Sequence, residues 1–351
     1  MQVWIRRFAL LLLPLGFLAV MVAAPLLSLA FYDGEGAWAE VVADDYMRLR
    51  LGWTVAQAVL TCVLVTALGV PAAWVLARMD FAGRRTVLRL LMLPFVMPTL
   101  VAGMGVLALF GAHGMLAAGW QDTPWLLIYG NVFFNLPVLV RSAYQGFVRV
   151  PQARLLSAQS LGADAWRRFI WVEWPVVRAW VAGGACLVFL YCFSGFGLAL
   201  LLGGERFATV EVEIYRLVAY ELDMARASVL VWLVLAVTAA AGGLYAYWSR
   251  RVAVDKSVSP LPPRAPIWAW EKWLTATVLA MLVLCCLLPL AAVWLKAVSA
   301  GSSWAVLLEA QTWAAVWNTV RFSAAAVAAA TVLGVLYAAA ARQMAWLRAL
   351  M

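Results

Sequence analysis

Eight long apolar runs, 8–31, 53–77, 90–110, 125–148, 179–202, 227–248, 273–297 and 315–341, are separated by short polar segments. At about 1.5 Å of rise per residue, helices of such length cross a hydrocarbon core of about 30 Å. The pattern predicts an all-α protein, a polytopic transmembrane helical bundle. Pro94 and Pro98 fall inside the third run, where a missing N–H and the proline ring kink a helix. Segment 203–226 has a different pattern. Val210, Ile214, Leu217 and Val218 share one helical face, and Glu211, Glu213, Arg216 and Tyr220 point away from it. It is expected to lie on the outer membrane face. Segment 256–266 carries Pro260, Pro262, Pro263 and Pro266 and reads as a linker.

Charge orients the spans. Most of the 26 Lys and Arg residues fall on one side: Arg6 and Arg7 before the first run, Arg78, Arg84, Arg85 and Arg89 after the second, a cluster within 149–178, and Arg250 and Arg251 after the sixth. The positive-inside rule makes that side cytoplasmic and places the N-terminus there. The net charge of +9 is thus accounted for by topology, and no nucleic-acid partner is expected. A chain that is 66% hydrophobic and 12% charged suits a lipid bilayer rather than water.

Candidate chemistry is sparse. Cys62, Cys186, Cys192, Cys285 and Cys286 lie in apolar runs without metal-ligand spacing, and the lone His113 sits in a Gly-rich turn. Lys256, Lys272 and Lys296 follow no phosphate-cradling glycines, and there is no H-E-x-x-H. Ser194 has no histidine nearby in sequence. No cofactor, metal or catalytic residue is expected.

Segment 149–178 is the exception to the apolar pattern. Residues 152–161 suit a short helix with Ser157 and Ala158 side by side. Gly162 suits the left-handed residue that ends it, Asp164 suits the cap of a following helix, and Pro175 leads into the next run. A basic, small-residue turn held at the cytoplasmic face suggests a docking site for a soluble partner. This stretch resembles the EAA loop of permease subunits in binding-protein-dependent ABC importers. Ser157 and Ala158 match the two alanines of that motif, Gly162 its glycine and Pro175 its proline, while Leu156 stands where the family usually has Glu. The resemblance implies a MetI-like fold in the inner membrane and a coupling role for Leu156, Ser157, Ala158, Gly162, Asp164, Trp166, Phe169 and Pro175. It implies as partners an ABC ATPase dimer, which would hydrolyse the ATP, a periplasmic substrate-binding protein and a small-molecule substrate. The sequence around Ser157–Gly162 and Pro175 looks most like the thiamine, or thiamine pyrophosphate, permeases. Ferric-iron permeases are the alternative.

Three further groups are candidates. Asn131 and Asn135, four apart, share a face and either line a path or bond between helices. Phe193, Ser194, Gly195 and Phe196 form a small-residue stretch that either packs helices closely or lines a pore. Under the resemblance, Gly203, Gly204, Glu211, Glu213 and Tyr215 belong to the loop near the gate and the docked binding protein. A weak repeat completes the picture. Thr54, Val55, Thr66, Leu68–Gly69–Val70 and Ala73 recur in the same spacing as Thr319, Val320, Thr331, Leu333–Gly334–Val335 and Ala338, and Pro25–Leu26 recurs as Pro289–Leu290. The expected organisation is a six-helix permease unit over 1–251, a linker over 252–272, and the first two helices of a second unit over 273–351. On this reading the second unit lacks its own docking loop, as a split or truncated permease would.

Overall fold

The computed structural model describes residues 12, 14–31, 36–116, 119–121, 123–251 and 259–343. Arg6, Arg7, Lys256, Arg348 and the start of the first run lie outside the described residues. The contacts form two groupings, Gly36–Ala297 and a second made of Met1–Glu35 with Val298–Met351. The expected boundary at 252–272 does not coincide with this division: the described part of the linker and the seventh run belong with Gly36–Ala297.

In order, the helices are α1 (Pro14–Leu29), α2 (Ala37–Ala43), α3 (Asp45–Arg78), α4 (Arg84–Val96), α5 (Thr99–Phe110), α6 (Pro124–Val148), α7 (Gln152–Ser160), α8 (Ala165–Phe193), α9 (Phe196–Leu202), α10 (Val210–Arg216), α11 (Met224–Arg250), α12 (Ala269–Val298) and α13 (Ala310–Gln343). The second grouping holds α1 and α13, and the apolar stretch of α13 buries none of its residues. No strand occurs among the described residues, only two isolated bridges.

Among the described residues, six helices are individually long and apolar enough to cross a membrane, or seven if α4 and α5 count as one span. Eight were expected. The third run is not merely kinked: α4 and α5 meet at 104° across Met97–Pro98. Pro98 has ψ 135°, so the helix stops and restarts rather than bends. The first run is described only over the shorter α1. The helix of the fifth run, α8, begins at Ala165 and not near 179, because Asp164 caps it within the polar segment, and it stops at Phe193 rather than near 202.

Among the described residues one wide π turn, Leu217–Glu221, continues α10, and three others interrupt longer helices, at Ala19–Ala23, Phe169–Glu173 and Val283–Leu287, these three sharing one feature. Each lies two residues before a proline, namely Pro25, Pro175 and Pro289. Proline has no N–H for the normal ladder, and a widened turn re-spaces the carbonyls ahead of it. The repeated Pro-Leu pair thus has the same local geometry in α1 and α12.

The core of Gly36–Ala297 is α3, α6, α8 and α11 packed together. Small residues set the spacing. A Cβ on Gly69 of α3 would meet Leu139 Cδ2 at 2.9 Å, and one on Gly184 of α8 would meet Ser142 Cβ at 2.9 Å. Ser142 also donates to Trp180 O (2.7 Å), bonding α6 to α8.

Helix α3 is tied at three levels. Asp44 caps it by accepting from Tyr46 N (2.8 Å). Near this end Arg50 donates to the carbonyls of Glu205 and Arg206 (2.7 Å each), Trp53 Nε1 donates to Phe207 O (2.8 Å), and Thr54 Oγ1 accepts from Val210 N (2.9 Å). Midway, Gln57 donates to Cys192 O (2.9 Å) and accepts from Asn131 Nδ2 (2.7 Å). At the far end Arg78 Nε donates to Glu173 Oε1 (2.8 Å) and Arg78 Nη2 to Phe147 O (3.1 Å), while Trp74 Nε1 donates to Glu173 Oε2 (2.9 Å).

Both side chains of the Arg78–Glu173 pair are buried, at 6% and 5% exposure. Removing one partner of such a pair costs about 3–5 kcal/mol because the other charge is left unpaired. Glu173→Gln should therefore lower the melting temperature of the detergent-solubilised protein by several degrees. The double variant Arg78→Met/Glu173→Leu should recover most of that loss, as measured by the same melt.

The orientation has its own check. With the basic ends inside, cysteine at exposed Glu205 reacts with an impermeant maleimide added to intact cells, and cysteine at exposed Ala153 does not. Labelling of position 153 from outside would reverse the orientation.

Candidate functional site

The turn between α7 and α8 takes the form its residues call for. Leu161 N donates to Ser157 O (3.1 Å), Gly162 N to Gln159 O (3.0 Å) and Ala163 N to Ala158 O (3.0 Å), closing the end of α7. Gly162 has φ +81°, a left-handed conformation that glycine adopts without a Cβ clash. Asp164 Oδ1 accepts from Arg167 N (2.7 Å) and starts α8.

Leu155 is buried and anchors α7, while Leu156 and Ser157 are exposed on its outer face and Ala158 is half-buried. Trp166 is 69% exposed and stacks on Phe169 (5.9 Å), which continues to Phe147 (6.3 Å) and Trp174 (6.1 Å). An exposed surface of Leu156, Ser157 and Trp166 is thus carried by a chain of packed rings leading into the bundle. Pro175 lies within α8, two residues past the π turn.

Two parts of this end were not legible beforehand. One is Glu173, an acidic residue in a basic segment, which the buried Arg78 and Trp74 hold. Its sign, opposite to that of its neighbours, was the available signal. The other is the path of residues 259–268. Gln152 N donates to Ser259 O (3.2 Å), Arg264 N to Arg78 O (3.0 Å) and Asp80 N to Arg264 O (2.7 Å). Arg264 then pairs with the buried Glu271 (2.5 Å), which also accepts from the N–H groups of Ile267 and Trp268 (2.9 and 3.2 Å). The described linker is a strap bonded to both α3 and α7, not a free spacer.

Within the bundle, a cavity of about 450 Å³ is bounded by Phe134, Asn135, Tyr191, Ser194, Gly195 and Phe196. Ser194 and Gly195 are the break between α8 and α9. The structure brings Asn135, Ser194, Gly195 and Phe196 together, and leaves out Asn131 and Phe193. Asn131 bonds to Gln57, and Phe193 is fully buried against Phe189 (5.5 Å). Asn135 Nδ2 donates to Asn131 O (2.9 Å) and Cys192 Sγ (3.3 Å), but its buried Oδ1 has no partner. Aromatic faces crowd the same space: Phe95 lies 5.7 Å from Phe134 and 5.6 Å from Tyr191.

The outer segment departs from its expected pattern. Val210, Val212 and Leu217 are buried, but so is Glu213, whereas Val218 is exposed. Glu213 does not point to solvent because Tyr46 donates to it (2.9 Å) and Arg216 lies 3.8 Å away. The Glu213 charge in turn holds the Arg216 guanidinium above its usual pKa. Glu211 is half-buried, and burial pushes its carboxyl up. Gly203 is buried, and a Cβ there would meet Ala199 O at 2.6 Å, while Gly204 is an exposed left-handed turn residue with φ 55°. Tyr215 meets Phe196 edge-on at 5.4 Å and so joins this segment to the cavity wall.

Known proteins resemble this chain in sequence and in fold. The chain is 32% identical over 322 residues to the thiamine transport system permease protein ThiP of Salmonella typhimurium, covering 88% of this chain and 58% of that protein. Against the ThiP of Escherichia coli it is 32% identical over 327 residues, covering 88% and 60%. Against the ThiP of Brucella abortus it is 35% identical over 239 residues, covering 64% and 44%. The chain therefore spans roughly three fifths, or less, of the length of these relatives. Among solved structures, a bacterial alginate ABC transporter in complex with an alginate pentasaccharide-bound periplasmic protein matches with a TM-score of 0.59 and 16% identity, over 71% of this chain and 95% of that one. That likeness is one of fold. Residues 66–254, which hold α4 to α11 and the turn between α7 and α8, match the family model for the binding-protein-dependent transport system inner membrane component. The chain belongs to that family of multi-pass inner-membrane transport proteins.

Proposed function

We propose that this chain forms part of the membrane path of an importer for thiamine or thiamine pyrophosphate, taking the cargo from a periplasmic binding protein and driven by a separate ATPase docked on α7. The observation that carries the cargo assignment is the cavity at the α8–α9 break. The buried side-chain oxygen of Asn135, a lining residue, has no partner, and the walls include the rings of Phe134, Tyr191 and Phe196. Thiamine is an organic cation with an aminopyrimidine donor. Aromatic faces attract the cation, by about 0.5–2 kcal/mol depending on desolvation, and an unpaired acceptor suits the amino group. Ferric iron would call for charged oxygen ligands, and the cavity wall presents neutral groups. The similarity to the thiamine permeases supports the same cargo.

Motor docking follows from the shape of the turn. Leu156, Ser157 and Trp166 stand outward while Leu155 and Phe169 pack inward, so a push on the outer surface is passed through rings and the Arg78–Glu173 pair to α3. Glu211, Glu213 and Tyr215 are assigned to the outer side, where the binding protein delivers. Glu213 acts there by positioning Tyr46, and Tyr215 by contact with Phe196.

Radiolabelled thiamine uptake tests the cargo, in cells lacking their own thiamine permease and supplied with this chain, the ATPase and the binding protein. Asn135→Leu should lower uptake about tenfold, the effect of one lost polar contact of about 1.5 kcal/mol. Iron uptake without thiamine uptake would refute the assignment. Gly162→Val tests the docking. No atom lies within 4 Å of a Cβ there, so the cost is backbone strain alone, about 1–3 kcal/mol. Crosslinking from a cysteine at Ala158 to the ATPase should fall while membrane insertion is unchanged. Undiminished crosslinking would remove the coupling role from this turn.

A further inference from the structure

Two cavities adjoin beside the docking turn. One, of about 460 Å³, is bounded by Trp74, Arg78, Leu155, Arg168, Arg264 and Trp268. The other, of about 360 Å³, is an open apolar groove along Val70, Pro71, Trp166, Phe169, Trp270 and Leu274. Trp74, Ala165 and Trp270 line both, so the space is continuous from polar to apolar.

The polar cavity has a surplus of donors. Glu173 uses one oxygen on Arg78 and the other on Trp74. Glu271 uses one on Arg264 and the other on Arg264 and two backbone N–H groups. Both carboxylates are therefore occupied. In contrast Arg78 Nη1 and Arg168 Nε are buried and have no partner. Arg78 is 94% buried, its side chain retaining 6% exposure. Unpaired guanidinium N–H groups at a partly enclosed site call for an anion with several acceptor oxygens, and phosphate geometry matches the guanidinium fork. The two carboxylates that would attract a cation already accept from Arg78, Trp74 and Arg264. The groove leading away is walled by aliphatic and indole carbons, which suit an acyl chain, and tryptophans mark the level where a headgroup meets the hydrocarbon.

We propose that this paired cavity binds an anionic phospholipid, its phosphate on Arg78 and Arg168 and one acyl chain along Trp166, Phe169, Trp270 and Leu274. The lipid would sit behind the docking turn and in contact with both the start of α8 and the strap. Its occupancy would therefore bear on how firmly the turn is held. Nothing in this proposal depends on the cargo or on the ATPase, so it stands or falls separately from transport.

The test uses the purified, delipidated full chain in detergent. Dioleoylphosphatidylglycerol should be retained as a one-to-one adduct in native mass spectrometry and should raise the melting temperature. Dioleoylphosphatidylcholine and inorganic phosphate at equal concentration should do neither. Arg168→Gln should weaken retention about tenfold, the order expected for one hydrogen bond to a charged group. Leu274→Trp, which fills the groove, should weaken it comparably. Arg168 and Leu274 are not fully buried, and an unchanged circular dichroism spectrum separates lost binding from lost folding. Equal stabilisation by phosphatidylcholine would overturn the headgroup assignment. Equal stabilisation by inorganic phosphate would overturn the lipid and leave an anion pocket only. Unaltered retention in Arg168→Gln would overturn the site, as would a second protein chain found seated in the groove in place of lipid.

Discussion

The ion pair between Arg78 and Glu173 joins the first part of α8 to the end of α3, and much of the structure can be traced from it. A buried charge is tolerable only with its partner and its remaining hydrogen bonds in place. Glu173 meets that condition through Trp74 and Arg78; Arg78 adds Phe147 O and keeps only Nη1 unpaired. The pair fixes the π turn of α8 against the end of α3, and hence the direction in which α7 and Gly162 project. The same Arg78 carbonyl accepts from Arg264 N, so the strap is registered on the same point. At the opposite end of α3, Arg50 and Trp53 hold the backbone of residues 205–207. One helix thus connects the surface assigned to the motor with the segment assigned to the binding protein, and the cavity at Ser194–Gly195 lies on its neighbour α8.

The membrane helices were readable because lipid leaves only one solution for a long apolar run. Backbone groups must be satisfied within the helix, so hydropathy alone places α3, α6, α11, α12 and α13. The conformation of the turn between α7 and α8 was readable because glycine, aspartate and proline each have a narrow use, and Gly162 and Asp164 occupy the positions those uses require. Pro98 signalled a disturbance, but its 104° consequence depends on where α5 packs, which no local pattern states.

Non-local partners account for the rest. Helical periodicity assigned Glu213 to solvent, and Tyr46, far away in sequence, turns it inward. A proline-rich segment looks like a spacer until Ser259 and Arg264 find partners in α7 and α3. Asn131 and Asn135 share one face as expected, yet Gln57 satisfies the first, and the second is left with an unpaired oxygen at a cavity. Periodicity identifies a face, and only packing decides which polar atoms on it are already spoken for.

If α3 is a rod clamped at Arg50 and Arg78, the docking turn and the outer segment must keep their separation while the transporter works. Spin labels at Ala153 and Glu205, both exposed, report that separation by double electron–electron resonance. A rod clamped at both ends gives one narrow distance, unchanged between the nucleotide-free and ATP-bound complex with the ATPase. A second distance, or a broad shift on adding ATP, would contradict it and make the turn a hinge that moves independently of the helix.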